Sequence, residues 1–117
     1  MPRFGITTFP TDYGLSIVEL ARAVEERGLD SIFFNEHRHI PVSRRTAFPG
    51  GGELPKEYSH THDPALAAAA AVTKRTMLST GICLVIERDP IVLAKEVASL
   101  DRISDGRVIF GVGPGGM

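Results

Sequence analysis

The sequence predicts an α/β protein in which four parallel strands alternate with three helices. Short apolar runs recur along the chain, helix-start signals stand between them, and the segments that join successive runs are long enough to contain a helix. Strands joined by helical crossovers pair in parallel, so the predicted sheet is parallel. The 117 residues, 43% of them hydrophobic, suit one domain with a moderate core.

The first two strands and the first helix are predicted in residues 3–35. Strand one is RFGITTF, Arg3 to Phe9, which is rich in β-branched and aromatic residues. Helix one starts at Ser16, with Glu19 as its capping-box partner, and ends at Gly28. Strand two is the apolar run LDSIFFN. Residues 38–62 are rich in glycine and proline and are predicted as a long loop, a feature that is usually functional in a compact domain.

The second part of the chain repeats this pattern. Its elements are helix two, starting at Asp63 and Pro64; strand three, Met77 to Val85; helix three, starting at Asp89 and Pro90 and running to about Ile103; and strand four, RVIFGVGPGG. Aspartate as an N-cap and proline in the first turn are both helix-start signals. Gly81 lies inside strand three, which indicates a β-bulge or a close backbone approach.

Two architectures fit this order of elements, an open doubly wound sheet and a (β/α)8 barrel. The run GVGPGG is similar to a phosphate loop, but a dinucleotide fingerprint also needs a following helix and an acidic residue. A barrel needs eight units and about 250 residues, so this chain would be its first half. Four strands with both edges unpaired predict self-association or a missing C-terminal half-barrel.

Composition excludes several classes of protein. A net charge of −1 gives no electrostatic reason to expect nucleic acid or an anionic membrane as a partner. Cys83 is the single cysteine and lies in an apolar run, so it is expected in the core. The absence of a signal segment and of an apolar run of about 20 residues predicts a cytoplasmic protein. Arg88, Arg102 and Arg107 are expected to solvate helix ends and turns.

The stretch FFNEHRHI raises the choice between metal ligands, acid/base residues and surface polarity. Two His-x-His pairs, HRH and HTH, are typical of metal-dependent hydrolases, because residues two apart on a strand point the same way. Here the first pair follows the second strand, a proline soon follows it, and no carboxylate pattern accompanies it. These features favour no metal site, and a metal-dependent hydrolase is kept only as an alternative. We expect His39, His60 and His62 to be surface or loop-bracing residues.

The succession RFGITTFP, ELARAVEERGLDSIFFNEH and STGICLVIERDPIVLAKEVASLDRISDGRVIFGVGPG resembles the N-terminal half of the luciferase-like monooxygenase family. It is most similar to the class that uses the deazaflavin coenzyme F420. The resemblance implies the first half of a TIM (β/α)8 barrel, with its cofactor at the carboxyl ends of the strands. It implies an oxidoreductase that transfers hydride between coenzyme F420 and a small organic substrate. The alternatives are an FMN-dependent monooxygenase and a non-catalytic flavin-binding or assembly module.

The resemblance also implies roles for particular residues. His37 matches the catalytic position, where an imidazole that titrates near neutral pH can exchange the proton that accompanies hydride transfer. Glu36 is expected to orient this imidazole or to contact the cofactor ring. Gly81 and Ile82 match the position at which several relatives hold a cis non-prolyl peptide against the ring. Gly113 ends strand four, where a missing side chain would let the ring approach. From the residues alone, the default interpretation of His37 is a solvated loop residue at a strand end, and Gly81 can be a simple strand bulge.

Overall fold

A computed structural model describes residues 1–38 and 62–115, without the side chains of His62 and Asp63. In chain order the elements are β1 (Gly5–Thr8), α1 (Ile17–Glu26), β2 (Ser31–Phe34), α2 (His62–Val72), β3 (Met77–Leu84), a 3₁₀ turn (Val85–Glu87), α3 (Pro90–Ile103) and β4 (Val108–Gly113). All the strands and helices predicted from the sequence are present. The predicted long loop lies outside the described residues except at its two ends, and the predicted loop-bracing roles of His39 and His60 lie outside them as well.

Local capping interactions set the observed limits of α1. The Ser16 hydroxyl accepts a hydrogen bond from the Glu19 amide at 3.2 Å, and the Glu19 carboxylate accepts one from the Ser16 amide at 3.3 Å. This is the predicted capping box. Gly28 follows the helix with a φ of +72°, a conformation that glycine adopts without strain.

The two Asp-Pro pairs in the sequence predict the start of α3 correctly and the start of α2 only approximately. Asp89 Oδ1 accepts a hydrogen bond from the Val92 amide at 2.9 Å, and Pro90 is the first residue of α3. For α2 the predicted N-cap, Asp63, is wrong, because the helix already includes His62. His62 therefore belongs to a helix and not to the predicted loop.

The order of the strands decides between the two predicted architectures. The sheet runs β1-β2-β3-β4, and each strand pairs in parallel with the next one in sequence. Helix α2 contacts both α1 and α3, so the three helices cover one face of the sheet. In a doubly wound sheet the strand order reverses and the helices cover both faces. The chain is therefore part of a (β/α)8 barrel.

The core lies between the sheet and its helices. The buried core residues are Ala21, Val24, Ile32, Phe34, Ala65, Leu66, Ala69, Ala70, Leu78 and Leu100. Cys83 is also buried, as predicted. On the opposite face of the sheet, which lines the interior of a barrel, Thr7 and Ile109 are exposed. No helix in the described part of the chain is long and apolar enough to cross a membrane.

The carboxylate of Glu25, at the end of α1, is held at the amino end of β3. Its oxygens accept hydrogen bonds at 2.8–3.1 Å from the backbone amides of residues 74–76 and from the Thr76 hydroxyl. Burial alone would raise the pKa of this carboxyl, but these hydrogen bonds stabilise the carboxylate and lower the pKa from 4.5 to about 2. The contact fixes the connection between α2 and β3.

Arg107 fixes the next connection, and it binds carbonyl groups at helix ends, as the sequence predicted. The residue is buried at the amino end of β4. Its guanidinium donates hydrogen bonds at 2.7–3.2 Å to the carbonyl oxygens of Ala70, Thr73, Thr76 and Ser104 and to the Thr73 hydroxyl. Carbonyls at a helix end lack partners within the helix, and a buried arginine satisfies several of them at once.

Candidate active site

The carboxyl ends of the parallel strands lie at one edge of the sheet. Strand β2 ends at Phe34 and β3 at Leu84, and the residues that follow each of them leave the sheet on the same side. In (β/α)8 barrels this edge carries the active site. The predicted site residues Glu36, His37 and Gly113 all lie here.

An ion pair joins the segment after β2 to the segment after β3. Glu36 Oε1 lies 2.6 Å from an Nη atom of Arg88, and the two side chains are 0% and 7% exposed. A charge-assisted hydrogen bond of this length is strong, and burial shields it from solvent. The sequence predicted that Arg88 solvates a helix end or turn, whereas its guanidinium binds a buried carboxylate. The Glu36 carboxylate is anchored inside the protein, and a contact between it and a cofactor stays a prediction.

The residue after His37 is bound to the same connection. An Nη atom of Arg38 donates a hydrogen bond to the carbonyl oxygen of Glu87 at 2.9 Å. His37 is half-buried between two residues that are each attached to the chain following β3. Its backbone is thus supported on both sides, which is what an acid/base side chain needs in order to keep a fixed position.

Strand β3 has the predicted irregularity at Gly81. The β3–β4 register shifts between Thr80 and Cys83, and the peptide bond between Gly81 and Ile82 is cis. A Cβ atom at position 81 would lie 3.3 Å from Cβ of Phe33, closer than most Cβ contacts. Glycine therefore lets β3 approach β2 at this level.

Gly113 leaves room for the side chain of Ile82 on the neighbouring strand β3. A Cβ atom at this position would overlap Cδ1 of Ile82. The space that the missing side chain leaves is therefore next to the Ile82 side chain, at the bulge of β3. The predicted site residues Gly113 and Ile82 are in direct proximity, while their contact with a cofactor ring stays a prediction.

The surface beside the bulge is suited to a flat, partly polar ring. Ile82 is 38% exposed and presents an apolar side chain at the strand ends. Asn35 lies nearby, with its Oδ1 accepting a hydrogen bond from the Thr7 hydroxyl at 2.8 Å. Planar cofactors bind where apolar surface is combined with a few fixed polar groups, so the residues present fit a flavin or deazaflavin.

Arg88 is the site residue that sequence reasoning missed. The signal for it was an arginine a few residues after a strand, at the sheet edge where an acidic residue follows the neighbouring strand. Within residues 1–38 and 62–115, no group of three or more His, Cys, Asp and Glu side chains is arranged to hold a metal.

The strand order indicates part of a (β/α)8 barrel, and these strand-end residues form a candidate site at the carboxyl edge of the sheet. The chain belongs to the luciferase-like monooxygenase family, whose model matches residues 8–117. Among its relatives, an uncharacterized protein of Mycobacterium tuberculosis is 44% identical over 117 residues, covering 96% of this chain and 42% of the relative. The F420-dependent glucose-6-phosphate dehydrogenase of Nakamurella multipartita is 34% identical, covering 97% of this chain and 31% of the enzyme.

Solved structures of two enzymes share the fold. The coenzyme F420 dependent tetrahydromethanopterin reductase of Methanopyrus kandleri matches with a TM-score of 0.74 and 28% identity, over 97% of this chain and 27% of the enzyme. The oxygenating constituent of 3,6-diketocamphane monooxygenase from Pseudomonas putida, in complex with FMN, matches with a TM-score of 0.73 and 21% identity, over 98% of this chain and 30% of that one. The chain thus spans less than half the length of each of these proteins.

Proposed function

We propose that this chain provides the acid/base and ring-supporting part of a coenzyme F420-dependent oxidoreductase that acts on a small organic molecule. The observation that carries the proposal is the half-buried His37, held between two anchored residues at the carboxyl edge of the sheet. The F420-dependent dehydrogenase and reductase that the chain resembles favour the deazaflavin over FMN.

Each site residue has a distinct role in this proposal. When bound, the deazaflavin supplies hydride transfer to or from carbon. His37 gives or takes the accompanying proton through its imidazole. Ile82 supports one face of the ring, while Gly81 and Gly113 keep Cβ atoms away from the bulge. The Glu36 carboxylate orients the histidine segment through Arg88.

Spectral titration tests the choice of cofactor. The protein is titrated separately with oxidised coenzyme F420 and with FMN, and binding is followed by absorbance and fluorescence. Tighter binding of the deazaflavin is the expected result. Tighter binding of FMN, with oxygen consumption on reduction, would instead support the monooxygenase alternative. Binding of either cofactor without turnover would favour a non-catalytic flavin-binding module.

Replacement of His37 tests the catalytic assignment. In an enzyme with a complete barrel, His37→Asn is expected to slow hydride transfer by about 10²- to 10⁴-fold, the usual contribution of a general acid or base. Cofactor affinity is expected to change little, because asparagine keeps a polar side chain of similar reach. Glu26→Gln, at an exposed position at the opposite end of the sheet, is the control. An unchanged rate in His37→Asn would refute the catalytic role.

We also propose that four further strand–helix units complete the pocket. The relatives are more than twice as long as this chain, and β4 leaves a groove of about 550 Å³ along α3. Its lining includes the apolar residues Leu93, Val97 and Phe110. The reading frame downstream of Met117 tests this directly, since four more strand–helix patterns are expected there. A frame without such patterns would leave self-association as the way to cover the groove.

A further inference from the structure

We infer that Arg88 is a positioning residue for His37, acting through the buried carboxylate of Glu36. The inference rests on the proposed function of His37, which follows β2, and extends it to Arg88, which follows β3. Arg88 is 52 positions from Glu36 in sequence, and the two meet only because β2 and β3 are neighbours in the sheet.

The degree of burial indicates that the pair has a geometric role. Its side chains are 7% and 0% exposed, so both charges have lost most of their hydration. The attraction within a buried ion pair is largely offset by this desolvation, and apolar residues of similar size are often as stabilising. What the pair provides and apolar residues do not is one defined orientation, through a directional contact of 2.6 Å.

Two consecutive residues after β3, Glu87 and Arg88, contact the segment that contains His37. The Glu36 carboxylate binds the side chain of Arg88. Arg38 donates a hydrogen bond to the carbonyl oxygen of Glu87, the residue directly before Arg88. The backbone of His37 lies between these two attachments. Loss of Arg88 removes one of these attachments and weakens the support of the His37 backbone.

Arg88 also connects this segment to α3. Another Nη atom lies 3.5 Å from a carboxylate oxygen of Glu96, whose side chain is 42% exposed. The guanidinium therefore lies between two carboxylates, the buried one near His37 and a more exposed one on the helix. The rigid helix α3 provides a fixed reference for the position of the imidazole.

The test compares single and double variants. Arg88→Met removes the buried cation that binds Glu36, so both stability and rate are expected to fall. The double variant Glu36→Leu with Arg88→Met removes both charges and is expected to regain stability. Hydride transfer in the double variant is expected to stay about 10²-fold below that of the wild type, the effect of a misplacement of about 1 Å. Recovery of the rate together with stability would overturn the inference.

A second readout does not depend on turnover. In an enzyme with a complete barrel, the NMR signal of the His37 ring is expected to be single and sharp in the wild type, and to broaden or split in both variants. Arg107→Met is the matched control, because it removes a buried arginine at the opposite end of the sheet. This control is expected to lose stability while the His37 signal stays unchanged. An unperturbed His37 signal in both Arg88 variants would contradict the inference.

The two readouts separate this inference from the proposed function. Absence of hydride transfer in the wild-type enzyme would refute the proposed function, whereas the NMR comparison would still decide whether Arg88 positions His37. Arg88→Lys keeps the positive charge but lacks the planar guanidinium. Compared with Arg88→Met, it is therefore expected to restore the His37 signal in part.

Discussion

At the scale of single residues, charged side chains are divided between the two ends of the strands. Glu25 and Arg107 lie at the amino ends of β3 and β4 and join helix ends to strand starts. Glu36 and Arg88 lie at the carboxyl ends, beside the candidate catalytic residue. In barrels the amino-end face contributes stability and the carboxyl-end face contributes chemistry. Substitutions at the two ends are therefore expected to have different consequences.

The low pKa of Glu25 predicts a pH-dependent contribution to stability. The pKa of its carboxyl is about 2 in the folded chain, below the ordinary value of 4.5. A group whose pKa is lowered on folding stabilises the protein above its unfolded pKa, and this contribution is lost as the pH falls through the folded pKa. Because the group is partly solvated, its contribution at pH 7 is about 1–2 kcal/mol.

Glu25→Gln is therefore expected to lower the free energy of unfolding at pH 7, as measured by urea denaturation. The difference from the wild type is expected to shrink between pH 4.5 and pH 2, the window set by the two pKa values. Glu26→Gln, at the neighbouring exposed position, is the control and is expected to have little effect at any pH. A difference for Glu25→Gln that does not vary with pH would contradict the role of its charge.

At the scale of elements, glycines determine how closely β3 and β4 approach. A Cβ atom at Gly111 would overlap the backbone carbonyl oxygen of Thr80. That carbonyl belongs to β3, which pairs with β2 on its other side and is therefore held in place. The Thr80 hydroxyl also donates a hydrogen bond to the Gly111 carbonyl at 2.7 Å. The close contact is between backbones, so rotation of a side chain does not relieve it.

Gly111→Ala is expected to lower the free energy of unfolding by about 2 kcal/mol, because the strands must separate to admit the methyl group. Thermal or urea unfolding measures this effect. Gly14→Ala is the matched control, since the nearest atom to a Cβ there is Thr11 Oγ1 at 3.4 Å, an ordinary contact. Equal stability of the two variants would show that β4 shifts without cost.

At the scale of the whole molecule, the chain leaves apolar surface that its own described residues do not cover. The groove along α3 and β4 is one part of this surface, and the exposed Ile109 on the opposite face of the sheet is another. Edge strands and apolar patches of this kind promote pairing with other chains. The chain without complementary units is therefore expected to self-associate.

Sedimentation velocity on the isolated chain tests this expectation, and species larger than a monomer should be observed. Ala98→Glu places a charge in the groove and is expected to shift the distribution towards monomer. Ala71→Glu places the same charge at an exposed position of α2 outside this groove and serves as the control. A monodisperse wild-type monomer that unfolds cooperatively would contradict the expected self-association.

The sequence by itself determined the features that depend on neighbouring residues. The capping box at Ser16, the helix start at Asp89 and the irregularity at Gly81 follow from side chains a few positions apart, and the structure has all three. The alternation of strand and helix likewise follows from local periodicity. His37 could be placed at a strand end because the apolar run that precedes it is contiguous in sequence.

Only the tertiary structure decided the strand order and the partners of the buried charges. The barrel-type order depends on which strands pair, and both candidate architectures have the same succession of elements. The sequence predicted that Arg88 and Arg107 solvate helix ends and turns but did not predict their burial, because a solvated and a buried arginine look alike in one sequence. Glu36 lies 52 positions from Arg88, and the partners of Arg107 on α2 and before β3 lie 31–37 positions away. These residues become neighbours only when the parallel strands and their helices pack side by side.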